Sequence, residues 1–167
     1  MNYPPPAFEQ KIHDPARIAA QLQSLPRPRV FTNGVFDVLH RGHVTYLAQA
    51  RAQGASLIVA LNSDASTRRL GKGDDRPINP LEDRATVVAS LESVSAVTWF
   101  DDDTPLALIN LLRPDVLIKG GDWKPDAIVG AAEVIAWGGS VHSIPFLHQK
   151  STTALLDAIR KNTNKNK

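Results

Sequence analysis

Five short apolar runs of strand length alternate along the chain with segments whose apolar residues recur at helical spacing, and this alternation restricts the fold more than any other feature. The runs lie at residues 29–32, 56–61 (SLIVAL), 96–100, 116–118 and 140–144. Helical spacing is found at residues 15–24, 42–53, 81–91, 105–112, 128–137 and 152–160, with Pro15 opening the first segment and Gly54 closing the second. Strands separated by helices pair in parallel through right-handed crossovers, so the expected fold is α/β, a Rossmann-like, doubly wound, five-stranded parallel sheet. Residues 62–80 are polar and rich in Gly, Asp and Pro, and read as a long loop with at most one helical turn.

At 167 residues and 43% hydrophobic content, the chain suffices for one domain with a proper core. The expected layout is an N-terminal extension with a short helix (1–28), one main domain (29–161) and a basic tail (162–167). Lys and Arg number 19 against 17 Asp and Glu, a balance that does not announce a nucleic-acid binder; no aromatic-interleaved basic stripe is present either. The absence of cysteine excludes disulfides and thiolate metal sites. Neither a signal-peptide pattern nor an apolar run of membrane-spanning length occurs, which predicts a cytoplasmic protein with no membrane partner.

In an open α/β sheet, ligands bind beyond the carboxyl ends of the strands, where the strand order reverses. The polar clusters fall there: Asn33 and Gly34 after the first run, Asn62 to Asp64 after the second, Lys119, Gly120, Gly121 and Asp122 after the fourth. Ser151, Thr152 and Thr153 follow the fifth. Gly34 lets the backbone near Val35 and Phe36 approach a phosphate closely. His40 and His43 bracket the start of the next helix, whose free N–H groups and dipole favour anions. Two imidazoles so placed can donate to the oxygens of a polyphosphate. The Ser-Thr-Thr run opens the last helix as a second anion site or as a plain cap. No carboxylate cluster would cage a metal alone; Asp37 is a candidate that can equally cap a turn.

The stretch NGVFDVLHRGHVTYL (33–47) resembles the His-x-Gly-His signature of the nucleotidyltransferase superfamily. More narrowly, NSDASTRRLGKGDDRPINPLEDR (62–84), DDDTPLALINLLRPDVLIKGGDW (101–123) and KSTT (150–153) resemble the heptose 1-phosphate adenylyltransferase domain of ADP-heptose synthases. The resemblance implies a sheet of the nucleotidyltransferase type and transfer of AMP from ATP to D-glycero-β-D-manno-heptose 1-phosphate, for lipopolysaccharide core assembly. It implies Mg2+ arriving with ATP, a homo-oligomer, and a stand-alone form served by a separate heptose kinase. By motif match His40 and His43 hold the triphosphate, and Lys72 is a catalytic lysine closing over it. Arg84 helps build the nucleotide site, Gly120, Gly121 and Asp122 lie against the nucleoside, and Ser151 and Thr152 grip phosphate.

Other readings stay open beside these. Lys72 can be a solvated loop charge, and Arg84 can simply pair with Glu82 or Asp83. The targets of Lys119 and Lys150 are not assigned. A cytidylyltransferase acting on glycerol 3-phosphate would use the same edge, and a non-enzymatic nucleotide-binding module is the alternative of another class.

Overall fold

The computed structural model describes residues 3–71, 73 and 75–148. Five strands, β1 (Arg29–Gly34), β2 (Ser56–Asn62), β3 (Ala96–Phe100), β4 (Val116–Gly120) and β5 (Ser140–Ile144), form one sheet in the order β3-β2-β1-β4-β5. Every pairing is parallel, with Phe31 opposite Ile58 on one side and Leu117 on the other. The expected doubly wound sheet is the observed one. Because β1 lies between β2 and β4, the chain winds outward in opposite directions from it, and the switch point falls between the ends of β1 and β4.

Strand β2 shows why the sheet must be covered twice. All seven of its residues are buried, and side chains alternate between faces along a strand. Leu57, Val59 and Leu61 join a core with Tyr46 and Leu47 of α2 (Arg41–Arg51) and Val88 of α4 (Leu81–Ala89). Ile58 and Ala60 face the other way. They meet Ile18 of α1 (Pro15–Gln21), Ile109 and Leu112 of α5 (Leu106–Leu112) and Val134 of α6 (Ala131–Ala136). Each such fully buried Leu or Ile contributes roughly 1.5–3 kcal/mol relative to exposure.

The residues expected as an N-terminal extension contribute to this second core: Ile18 is fully buried, and His13 N–H donates to Val97 O at 2.8 Å. One expectation is corrected and another is narrowed. Residues 62–80 contain a true helix, α3 (Asp64–Arg69), where at most one turn was expected. Ser63 caps it by accepting from Ser66 N–H, Asp64 favours its positive end, and Arg68 and Arg69 its negative end. Its buried face is Ser66 and Thr67, so apolar periodicity had nothing to register. The helix expected over 128–137 is present over a shorter span, as α6, with a separate 3-10 turn at Pro125–Ala127 before it. Gly130 separates them with a φ of 88°, and a Cβ there would fall 2.7 Å from Ile109 Cδ1. Among the described residues no helix is long and apolar enough to cross a membrane.

Candidate active site

A cavity of about 690 Å³ opens at the carboxyl ends of the strands, at the switch point. Of the residues singled out from the sequence, Asn33, Gly34, Val35, Phe36, His40, His43, Lys119 and Gly120 line it. Gly121 and Asp122 do not; the turn they form carries Trp123 into the wall instead. Arg84 is buried outside the lining. Lys72, Lys150, Ser151, Thr152, Thr153 and the helix expected over 152–160 lie outside the described residues.

The histidine pair is built by the start of α2. His40 is its N-cap, in extended conformation, and its Nδ1 accepts from Gly42 N–H at 3.1 Å. The proton of the neutral ring therefore sits on Nε2, making that nitrogen the donor. Gly42 permits the arrangement, since a Cβ there would press to 3.0 Å on the His40 ring and 3.1 Å on His148 O. One helical turn on, His43 stacks on His40 with ring centroids 3.9 Å apart, and Phe36 meets His43 edge-on at 5.4 Å. Phe36 itself adopts a φ of 49°, rare for a bulky residue, in the turn leaving β1. Burial, and secondarily the neighbouring His40, lower the His43 pKa from 6.5 to about 4. Near neutral pH His43 is thus an uncharged donor and acceptor, and α2 supplies its positive end beside it.

The floor of the cavity is tied together across the switch point. Tyr46 of α2 shares a 2.6 Å hydrogen bond with Thr32 of β1, and its hydroxyl donates to Ile118 O of β4 at 3.4 Å. Burial raises the Tyr46 pKa, so this tie is neutral at any physiological pH. Lys119 Nζ reaches back from β4 to donate to Asn33 Oδ1 at 3.2 Å and Asn33 O at 3.4 Å, fixing a cation between the two strand ends. Trp123, Ile128 and Phe146 give one side of the cavity an apolar, partly aromatic wall, suited to the face of a base. Asn62, Asp103 and Thr104 make the opposite side polar.

Two buried arginines organise the segment between α3 and α4. Arg84 donates to Asp64 Oδ1 at 2.7 Å, to Val35 O at 2.7 Å and to Asn79 O at 3.0 Å. Its partner is Asp64, not the Glu82 or Asp83 of its own helix. Arg84 acts on the site by holding the Val35 turn. Arg76, which sequence reading did not single out, lines the cavity and sits 2.6 Å from Asp37. Asp37 also accepts from the N–H groups of Ile78 and Asn79, both at 2.9 Å. Its carboxylate is a clasp for this segment, as the turn-capping reading expects. Arg76 had no local signature: an arginine before proline in a polar loop looks solvated until its buried aspartate partner is seen.

A doubly wound sheet with stacked histidines at a helix start beside its switch point defines a nucleotide-handling site of the nucleotidyltransferase class. The chain belongs to the cytidylyltransferase-like family, whose sequence profile matches residues 31–157. It is 56% identical to the D-beta-D-heptose 1-phosphate adenylyltransferase of Bordetella bronchiseptica, over 92% of this chain and 96% of that one. It is 55% identical to the bifunctional protein HldE of Hahella chejuensis over 79% of this chain, but spans 28% of that longer protein. Among solved structures, a lipopolysaccharide core biosynthesis protein from Thermoplasma volcanium aligns with a TM-score of 0.60 at 26% identity, over 73% of this chain and 98% of that one. A pantoate-beta-alanine ligase from Francisella tularensis has the same fold, with a TM-score of 0.59 at 15% identity, over 84% of this chain and 68% of that one.

Proposed function

We propose that the protein transfers AMP from ATP to D-glycero-β-D-manno-heptose 1-phosphate, giving ADP-heptose and pyrophosphate. The observation that carries the chemistry is the stacked His40–His43 pair at the start of α2, inside the switch-point cavity. The choice of nucleotide and sugar rests on the likeness to the Bordetella adenylyltransferase. An oxygen of the sugar phosphate attacks the α-phosphorus of ATP in line. The new O–P bond forms as the bond from the α-phosphorus to the bridging oxygen breaks, and the electron pair departs with pyrophosphate. The attacking phosphate is already an anion, so no base has to remove a proton.

Catalysis then falls to positioning and to charge stabilisation. His40 Nε2–H and the neutral His43 donate to the triphosphate oxygens where charge grows, and the α2 dipole favours the same charge. Lys119, fixed by Asn33, adds a cation across the cavity. The apolar wall of Trp123, Ile128 and Phe146 takes the base, while Asn62, Asp103 and Thr104 face the sugar hydroxyls. Lys72 is proposed to close over the phosphates, and the Ser151-Thr152-Thr153 run to grip their oxygens. The described residues hold no group of three or more His, Cys, Asp or Glu able to bind a metal, and Asp37 is engaged by Arg76 and two N–H groups. Magnesium is proposed to enter with ATP as part of the substrate and to neutralise triphosphate charge. A kinase reaction must supply the sugar 1-phosphate, and the cytoplasm, where ATP is present, is the proposed compartment.

The test is pyrophosphate release by the purified protein with magnesium, offering ATP or CTP against heptose 1-phosphate and glycerol 3-phosphate. Turnover with ATP and heptose 1-phosphate alone is expected, and His40→Ala lowers kcat by about 10²–10³, the usual cost of losing one such donor. Turnover with CTP instead would keep the transferase chemistry and sink the heptose reading. Silence in every pair would leave a nucleotide-binding fold.

A further inference from the structure

Arg76 presents donors that no described residue takes up. A guanidinium carries five N–H groups. The Arg76 side chain is 7% exposed and its Nε lies 2.6 Å from Asp37 Oδ2. Among the described residues no protein acceptor meets Nη1 or Nη2. Nε is the buried nitrogen and makes no hydrogen bond beyond its ion pair, whereas Nη1 and Nη2 are not shut away from solvent and can take an acceptor from the cavity side. The residue lines the same cavity as His40, His43 and Lys119, so the missing acceptor is to be sought there.

Its direction is set from below. Asp37 is fully buried in its side chain and fastened to the Arg76 segment by four contacts: the ion pair, the N–H groups of Ile78 and Asn79, and Asn79 Nδ2, which donates to Asp37 O at 2.6 Å. Asp37 lies against the inner nitrogen of the guanidinium as an ion pair, without a hydrogen bond, and leaves its outer pair. Two parallel N–H groups on a planar cation match two oxygens of a phosphate, a fit that lysine cannot reproduce.

We propose that Arg76 is a substrate-binding residue of this site, its Nη1 and Nη2 taking two oxygens of a substrate phosphate, with Asp37 as the positioning residue that aims it. The assignment rests on the transferase reading above for the identity of the phosphates: the triphosphate of ATP or the phosphate of the sugar. The bidentate chemistry is the same for both.

Calorimetric binding of inorganic pyrophosphate, ATP, heptose 1-phosphate and adenosine to the wild-type chain and to Arg76→Lys distinguishes them, with urea unfolding in parallel. Arg76→Lys keeps a charge beside Asp37 and removes the fork. We expect a loss of about tenfold or more in affinity for at least one phosphate ligand, with adenosine binding and the unfolding midpoint unmoved. Loss for pyrophosphate and ATP assigns the triphosphate; loss for heptose 1-phosphate alone assigns the acceptor. Should Arg76→Lys fail to fold, the paired change Asp37→Asn with Arg76→Gln removes both charges together and takes its place. Unchanged affinity for all three phosphate ligands in a folded variant overturns the proposal. A wild-type chain that binds phosphate through Arg76 but turns over no substrate pair sinks the transferase reading and leaves Arg76 as an anion-binding residue.

Discussion

Arg76 and Arg84 stand eight positions apart in one segment, both buried, both paired with an aspartate, and they do opposite things. Arg84 is closed: Nε, Nη1 and Nη2 each have a protein acceptor on a different piece of chain, namely Asn79 O, Val35 O and Asp64. Arg76 is open, with its inner nitrogen in an ion pair with Asp37, no described acceptor on its outer nitrogens, and a place in the cavity lining. A buried arginine with all its donors engaged is a structural pin, and one with a free fork in a cavity is a receptor. The motif match pointed to the first as a nucleotide-site residue and passed over the second.

The largest effect expected is therefore on folding, at Arg84. Arg84→Met leaves Asp64, 30% exposed, without its partner and two carbonyls without donors, and each acceptor left unsatisfied costs about 1–3 kcal/mol. Against a total stability of about 5–15 kcal/mol for an ordinary domain, a large fall in the urea midpoint follows. Arg84→Lys rescues little of it, because one ammonium cannot reach three acceptors in three directions. A variant at Arg84 that kept its midpoint and instead raised the KM for ATP would reverse the comparison. Arg76→Lys is expected to do the contrary, moving KM for the phosphate ligand by about tenfold with the midpoint held.

A pH titration sharpens the contrast through His43. Its folded value is about 4 against an ordinary 6.5. As pH falls below 6.5 the unfolded chain takes up a proton that the folded chain refuses until about pH 4, so stability declines across that window and levels off beneath it. The difference between wild type and His43→Gln in urea unfolding at pH 7, 6, 5 and 4 isolates this slope from the carboxylates. Parallel curves for the two proteins would mean that His43 charges freely and is not the neutral donor described above.

The sheet was legible because it is written in apolar runs: SLIVAL is buried on both faces and reads as nothing but a central parallel strand. The histidines were legible because a capping residue, a close-approach glycine and a stacked partner fall within four positions. What escaped is held by polar contacts between distant segments. Helix α3 buries Ser66, which bonds to Asn62, Ser63 and Asp102, and Thr67, whose N–H donates to Ser63 O, so hydrophobic periodicity is silent there. Arg76 finds Asp37 across 39 positions of chain, and Arg84 bypasses the carboxylates of its own helix for Asp64. A sequence shows charges but not which of them are shielded from water, and shielding decides their roles.

A third pair in the same stretch supplies the smallest effect and the control on the other two. Arg69 bonds Asp103 with its Nε at 2.6 Å, closer than Arg84 to Asp64, yet the two side chains are 46% and 79% exposed. Distance alone would rank it level with the Arg76 pair and ahead of the Arg84 pair; exposure ranks it last, because water screens the attraction and two long side chains must be ordered to make it. Arg69→Ala, read by urea unfolding, is expected to cost no more than about 1 kcal/mol, and less as salt is added. The Arg69 guanidinium also donates to Asp101 O, and Ser63 Oγ donates to the Asp101 carboxylate, so any residual cost traces to the join between α3 and the acidic turn. If Arg69→Ala cost as much as Arg84→Met, burial would not be what separates these arginines, and the division into pin and receptor would fall with it.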